Sequence, residues 1–381
     1  MQEDFVRMGL HGYGYIGRIH VLASQLHIAA GQTAPSINWE SAVVRDLGTA
    51  AAKQARRVFP FVTDDISALS ERNLEAIDIA SPNHAHLAPF QLAVEKGWSI
   101  YCEKPISHDL SEATEMVEAA SQADLVTQVA LVYRFHPAVI EARDWLLSGK
   151  LGRPLTFRAE LLHGGYLNPD RPMSWRLQNA ASGGGAVMDL GIHLFDTLHM
   201  LLGPVDHLTA TTRTFIDSRR GPHGTEPVTV DDWASATLTM RQGTVGTVEV
   251  SRVHYGRERD VMDIVCERGV LHIPLERYEG VSVTTLDDGM SVPVSHSPSL
   301  QPFSPKYAQS TLLNLHATGL AAFASRIRGA SVDIPVPTVD DALAGQAVAH
   351  AVMESGRAGG DRVSMDRFLA AHGCLPRIYA R

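Results

Sequence analysis

The chain has 381 residues, 45% of them hydrophobic and 20% charged, with a formal charge of −9 and no run of lysines or arginines. Two domains are the natural expectation at this length, and the acidic balance argues against nucleic acid as a partner. No apolar run reaches the roughly 18 residues that suggest a membrane span. Cys102, Cys266 and Cys374 are few, odd in number and widely spaced, so they point to a reducing compartment and to no zinc framework.

Met1-Gln-Glu-Asp4 enters a strand at once, predicting no signal peptide and a cytoplasmic location. The strand Phe5–Leu10 leads into Gly12, Tyr13, Gly14, Tyr15, Ile16 and Gly17, a G-x-G-x-x-G turn, and Ile19, Val21, Leu22 and Leu26 then fit an amphipathic helix. Glycines there let the backbone turn tightly and approach a pyrophosphate, whose charge the helix N-terminus holds. The next strand, Glu40–Val44, ends at Arg45-Asp46. An acid at this tip reads the ribose of NAD, and an arginine accepts the 2′-phosphate of NADP, so both cofactors stay open.

Leu74–Ala80 is a strand broken by Ser81-Pro82-Asn83, and a helix follows over 85–96. His84 and His86 form an H-x-H pair, but no cysteine or carboxylate cluster accompanies them, and no metal is assigned. Ser99–Cys102 is a strand that must end before Pro105, which cannot continue a central sheet. Glu103 and Lys104 therefore stand at a carboxyl strand end, where open α/β sheets bind ligands. A helix over 111–122 and a strand over 125–132 complete a parallel, doubly wound sheet.

Beyond Val132 the texture changes. Tyr133, Arg134, Phe135, His136 and Pro137 lead into a helix over 138–147, and 148–154 is a loop. Alternating stretches over 155–162, 234–240, 244–250 and 261–273 predict an antiparallel sheet. Ser182–Gly185 forms a flexible lead-in to a helix running from Ala186 to Leu202. Leu190, Leu194, Phe195, Leu198, Leu201 and Leu202 cover one broad face of it, and Asp189, His193, Asp196 and Met200 form a narrow stripe opposite. That stripe reads as a proton-transfer pair, a solvated face or half of a metal site. The acid and imidazole one turn apart, without the usual surface Lys, Glu and Gln, favour the first.

Together, Gly12–His20, Ser81–His86, Glu103-Lys104-Pro105, Tyr133–Pro137, Trp175-Arg176 and Gly183–His193 resemble the Gfo/Idh/MocA family of NAD(P)-dependent sugar and polyol oxidoreductases. The resemblance spans nearly the whole chain. It implies a Rossmann domain over 1–132 and an α+β domain over 133–381 built on an open, mainly antiparallel sheet that serves substrate binding and assembly into a homodimer or homotetramer. It further implies Lys104, Asp189 and His193 as the catalytic set and NAD or NADP as cofactor. The dinucleotide would meet the glycine turn, Arg45 or Asp46, Ser81, Pro82, Asn83, His86, Glu103, Lys104, Trp175 and Arg176. Tyr133, Arg134, His163, Asp189 and His193 would meet a small sugar or polyol. The amine of Lys104 and the imidazole of His193 are expected to converge on one oxygen beside the nicotinamide. Two other activities fit parts of the pattern: a glycoside hydrolase that retains NAD, and a non-catalytic dinucleotide sensor.

Overall fold

The computed structural model describes residues 5–30, 34–222, 224–286, 291–293 and 310–380. The chain folds into two compact units, Met1–Ser107 with Glu112–Phe135 and Pro302–Val339, and His108–Ser111 with His136–Gln301 and Asp340–Arg381.

In the first unit six strands, β1 (Phe5–His11), β2 (Ser36–Val43), β3 (Phe61–Thr63), β4 (Ala76–Ile79), β5 (Ser99–Cys102) and β6 (Thr127–Val129), pair in the order β3-β2-β1-β4-β5-β6. All pairs are parallel, and the winding reverses between β1 and β4. This is the doubly wound order expected from the alternation, with its switch point beside the glycine turn. Every residue of β4 and β6 is buried, as helices on both faces demand.

One part of this unit comes from far along the chain. The segment 310–339, which the sequence assigns to the second domain, packs with the first. Its helix Thr311–Ile327 lies against the helix Tyr15–Ala29 and against β1, β2 and β5. Leu313, Leu315, Leu320 and Phe323 bury its apolar face, with the Phe323 ring 5.5 Å from that of Tyr101. Beyond the helix, Arg328 donates to both carboxylate oxygens of Glu75, at 2.8 and 3.1 Å, and to the Phe5 carbonyl. Local periodicity shows an amphipathic helix; it says nothing of which distant sheet receives it.

The second unit holds β7 (Pro154–Leu162), β8 (Val205–Arg213), the separate hairpin β9 (Ser218–Gly221) and β10 (Gly224–Pro227), β11 (Trp233–Met240), β12 (Val245–Ser251), β13 (Arg259–Cys266), β14 (Gly269–Pro274), β15 (Ser282–Thr285), β16 (Ser291–Pro293) and β17 (Val363–Ser364). Nine of these pair in the order β16-β15-β14-β13-β7-β12-β11-β8-β17. The sheet is antiparallel except between β7 and β12, which run parallel, so it is mixed. The stretch 261–273 is two strands and not one: Cys266 pairs with Gly269 across a two-residue turn. Such a turn preserves the alternation, which hides it from a reading of period alone. Ala234, Ala236, Leu238 and Met240 of β11 face the core with Val248 and Val250 of β12, and the helix Ile192–Leu202 packs against β7.

Replacing Arg328 with alanine should lower the unfolding free energy by about 1–2 kcal/mol, since hydrogen bonds to a partly exposed charged group are worth that. Burial raises the Glu75 pKa, but Arg328 first and Arg7 with it outweigh this, so the folded value is depressed. The pair's contribution is therefore complete above the ordinary glutamate range and lost as pH falls through the folded value. Urea titrations at neutral and acid pH check this; an Arg328→Ala penalty that is the same at both would contradict it.

Candidate functional site

The three glycines of the turn after β1 do three different things. Gly12 has φ +104°, and a Cβ there would sit 2.6 Å from the Ser81 nitrogen, so this position joins the β1 and β4 loops. At Gly17 a Cβ would lie 2.2 Å from the Gly12 carbonyl, which closes the helix onto the turn. Gly14, the residue before the helix Tyr15–Ala29, has nothing within 4 Å of such an atom. The middle glycine therefore leaves the open approach to the helix N-terminus that an anionic pyrophosphate needs. No side chain caps that end and no acid lies in the first turn. Tyr13 is buried edge-on to Phe59 beneath the Arg18 guanidinium, whereas Tyr15 is exposed.

At the tip after β2, Arg45 and Asp46 are both exposed, and Asp46 accepts the Gly48 N–H at 2.7 Å. The Ser81-Pro82-Asn83 loop follows β4. His86 is fully buried beside it, with Nε2 2.8 Å from the Ser81 carbonyl and Nδ1 3.1 Å from the Ile106 carbonyl and 3.7 Å from Cys102 Sγ. Burial holds its pKa below the usual range, and the neutral ring has one N–H to give to only one of those two carbonyls. His84 is exposed, so the H-x-H pair does not act together. Glu103 is buried, accepting from His20 at 3.1 Å and from the Lys104 backbone N–H at 3.1 Å; Lys104 itself is half-buried. Arg134, expected at the substrate, is buried, and its guanidinium lies 3.4 Å from the Pro335 carbonyl; Tyr133 is half-buried.

In the second unit, Ser182–Gly185 is not a flexible lead-in. The segment is buried, and a Cβ on Gly183, Gly184 or Gly185 would lie 2.0 Å from the His108 carbonyl, 2.8 Å from the Met353 sulfur or 1.6 Å from the Asp231 carbonyl. Asp231 then takes the Gly185 and Val187 N–H groups on its two carboxylate oxygens, each at 2.8 Å. The continuous helix predicted from 186 to 202 is likewise corrected: Val187–Gly191 is a π-turn and the α-helix begins at Ile192. The wider turn shifts the register. It leaves Leu190 half-buried and Asp196 buried, so the stripe narrows to Asp189, His193 and Met200. Asp189 and His193 are both half-buried at the start of this element.

Asp189 has a partner that spacing did not suggest. Arg252, at the end of β12 and 3% exposed in its side chain, donates to Asp189 Oδ2 at 2.8 Å. Burial disfavours the guanidinium, but Asp189, Tyr166 and Asp231 outweigh this and raise its pKa. The Tyr166 ring lies 4.7 Å from it. An arginine just past a strand of alternating residues was the available signal, and it looked like any strand-end charge. His163, at the end of β7, bonds Asp260 Oδ1 at 2.7 Å, and that bond together with the charges of Asp260, Glu258 and Asp189 raises its pKa. Trp175 and Arg176 lie in a short helical turn with the guanidinium 4.4 Å from the indole ring, and both are half-buried.

A family profile described as an oxidoreductase family with an NAD-binding Rossmann fold matches residues 6–131, and the GFO/IDH/MocA C-terminal domain profile matches 139–272. The chain is 31% identical to the levoglucosan dehydrogenase of Pseudarthrobacter phenanthrenivorans over 74% of its own length and 77% of that protein. It is 28% identical to inositol 2-dehydrogenase 4 of Saccharopolyspora erythraea over 87% and 89%. A solved levoglucosan dehydrogenase in complex with NADH and L-sorbose superposes with a TM-score of 0.85 at 27% identity, covering 95% of this chain and 99% of that one.

The glycine geometry separates folding from ligand binding. Gly17→Ala should cost at least about 1–3 kcal/mol of stability, because its Cβ meets main chain that cannot yield. Gly14→Ala should melt like the parent yet bind dinucleotide at least about tenfold more weakly. Thermal melts with nucleotide titration check both, and equal affinity in Gly14→Ala would refute the pyrophosphate assignment.

Proposed function

The chain belongs to the GFO/IDH/MocA oxidoreductases and is NAD(P)-dependent, and on that premise we propose that it oxidises a ring hydroxyl of a small sugar or polyol, or reduces the corresponding ketone. The observation that carries most weight is the pairing, within one unit, of the open approach at Gly14 with an amine at the end of β5. When bound, the nicotinamide supplies the hydride acceptor or donor. The glycine turn and the helix N-terminus hold its pyrophosphate, with Arg45 or Asp46 toward the adenosine ribose.

His193 takes the proton of the reacting hydroxyl, a role suited to an imidazole whose ordinary pKa lies near working pH. Lys104 is the donor assigned to the negative charge that develops on the reacting oxygen, a contribution of about 3–4 kcal/mol for a preorganised donor. Asp189, oriented by Arg252, accepts a hydrogen bond from a neighbouring substrate hydroxyl. A sugar is the substrate class of the named relatives, and a half-buried acid, imidazole and Tyr166 suit a neutral polyhydroxylated ring.

Assembly as a homodimer or homotetramer would use the outer face of the nine-stranded sheet. Thr156, Val245, Thr247 and Val265 lie together there on neighbouring strands, exposed in the single chain. Light scattering after gel filtration should give two or four times the chain mass of 41.4 kDa, and a monomer mass would end this part of the proposal. The three cysteines are buried, in keeping with a cytoplasmic location.

Absorbance of reduced nicotinamide in a panel of inositols, anhydrosugars, aldoses and keto-sugars, each with NAD and NADP, tests the activity directly. Lys104→Met and His193→Ala should each lower kcat by about 10²-fold or more with dinucleotide affinity within a few-fold of the parent. Near-normal turnover in either variant would remove that residue from its role. Cofactor retained through purification with no net reduction by any free sugar would favour a glycoside hydrolase instead.

A further inference from the structure

Beneath the glycine turn the first unit buries a charge array that hydride transfer does not itself require. His20, from the helix Tyr15–Ala29, is fully enclosed. Its Nδ1 is 2.7 Å from Asp78 Oδ2 on β4, and its Nε2 is 3.1 Å from Glu103 Oε1 at the end of β5. The other Glu103 oxygen accepts the Lys104 backbone N–H. Ionised carboxylates only accept, so a ring placed between two of them must donate from both nitrogens, which only imidazolium does.

We propose that Asp78, His20 and Glu103 form a positioning device that clamps the Lys104 backbone to the helix of the glycine turn through a buried imidazolium. The proposal rests on the reading of Lys104 as a reacting group. Its physical content is rigidity: the strand end, the dinucleotide-binding helix and the middle strand are joined by short charge-assisted bonds in a dry interior, where such bonds are strongest. The distance between a bound nicotinamide and the Lys104 amine would then be set by main-chain geometry and not by a flexible stem alone.

The surroundings agree. The titratable groups facing His20 are Asp78, Tyr101 and Glu103 from the sheet, Lys104 beyond them, and His316 from the helix Thr311–Ile327. Burial works against a charged His20, yet Asp78 and Glu103 outweigh it and hold the ring's pKa at about 10. Burial pushes Glu103 up, but His20 first, and Lys104 with it, bring it to about 2. The His316 ring lies tilted with its centroid 4.7 Å from that of His20, and burial followed by His20's charge lowers its pKa to about 3, so it stays neutral. At Asp78 burial outweighs the His20 charge and raises the carboxyl above its ordinary value, so the charged ring stands on its placement between the two carboxyl groups. The part of the array's stability that comes from His20 should be complete below about pH 6.5 and lost as pH rises to about 10.

His20, Glu103 and His316 also present ligand atoms within 4.8 Å of one another, a spacing that a metal ion could use. The proton already satisfies His20 on both sides, so the array needs no ion to account for it.

The test uses the full chain with bound dinucleotide. His20→Asn should lower kcat by on the order of 10- to 100-fold, the penalty for a misplaced reacting group, while dinucleotide affinity changes by less than about threefold. The decisive measurement is the double variant. If His20 acts only through Lys104, His20→Asn combined with Lys104→Met should be no slower than Lys104→Met alone. Multiplicative losses would overturn the positioning role. If Lys104→Met by itself kept normal turnover, the catalytic reading of Lys104 would fall instead, so the two failures are distinguishable. Should His20→Asn not fold, Glu103→Gln, which keeps the shape and removes the charge, is measured in the same cycle. Nitrogen NMR of histidine-labelled protein at pH 8 should show both His20 nitrogens protonated; a neutral ring would overturn the clamp. One equivalent of zinc in the purified parent, lost in His20→Asn, would also overturn it in favour of a metal site.

Discussion

Main chain packed directly on main chain is the constraint from which both units are built. At Gly12 and Gly17 a single added carbon would strike the Ser81 nitrogen or the Gly12 carbonyl, and at Gly183 and Gly185 it would strike the carbonyls of His108 and Asp231. Contacts this close leave no slack. They hold the carboxyl ends of β1 and β4 together in one unit, and they launch the π-turn that bears Asp189 in the other. Gly14 is the instructive exception, because the space beside it is open and lies where a ligand would use it.

Charge is handled in the same way in each unit. A buried ion is tolerable when opposite charge and hydrogen bonds meet it on every side, and costly when one partner is missing. His20 is met by carboxylates at both ring nitrogens, and the Arg252 guanidinium is met by the Asp189 carboxylate with the charge of Asp231 nearby. Each array leaves a group proposed to do chemistry at its margin, Lys104 in one and Asp189 in the other. Cofactor and substrate sites of this kind are thus prepared by networks a shell deeper than the residues that react.

The elements legible in the sequence share a physical property: their signal is local. The glycine turn, the strand ending at Pro105 and the alternating strands β7, β11 and β12 each follow from backbone sterics or from a period of two. The features that escape such a reading depend on something local patterning does not carry. The β13–β14 turn keeps the alternation going and so conceals itself. The π-turn at Val187–Gly191 inserts a register shift that a fixed 100° step cannot anticipate, and such a step puts Leu190 in the core. The parallel pairing of β7 with β12 joins strands about 90 residues apart.

By itself the amino-acid order determined the family and the doubly wound sheet, and it singled out Lys104, Asp189 and His193 as the candidate set, since motifs of fixed spacing encode local backbone shape and side-chain chemistry together. Only tertiary structure decided that the helix Thr311–Ile327 returns to the first unit, that Arg252 is the partner of Asp189, and that His20 lies between two carboxylates. Those outcomes turn on which distant groups share a buried volume. Burial and long-range hydrogen bonding select the partner there, and no periodicity within a segment records it.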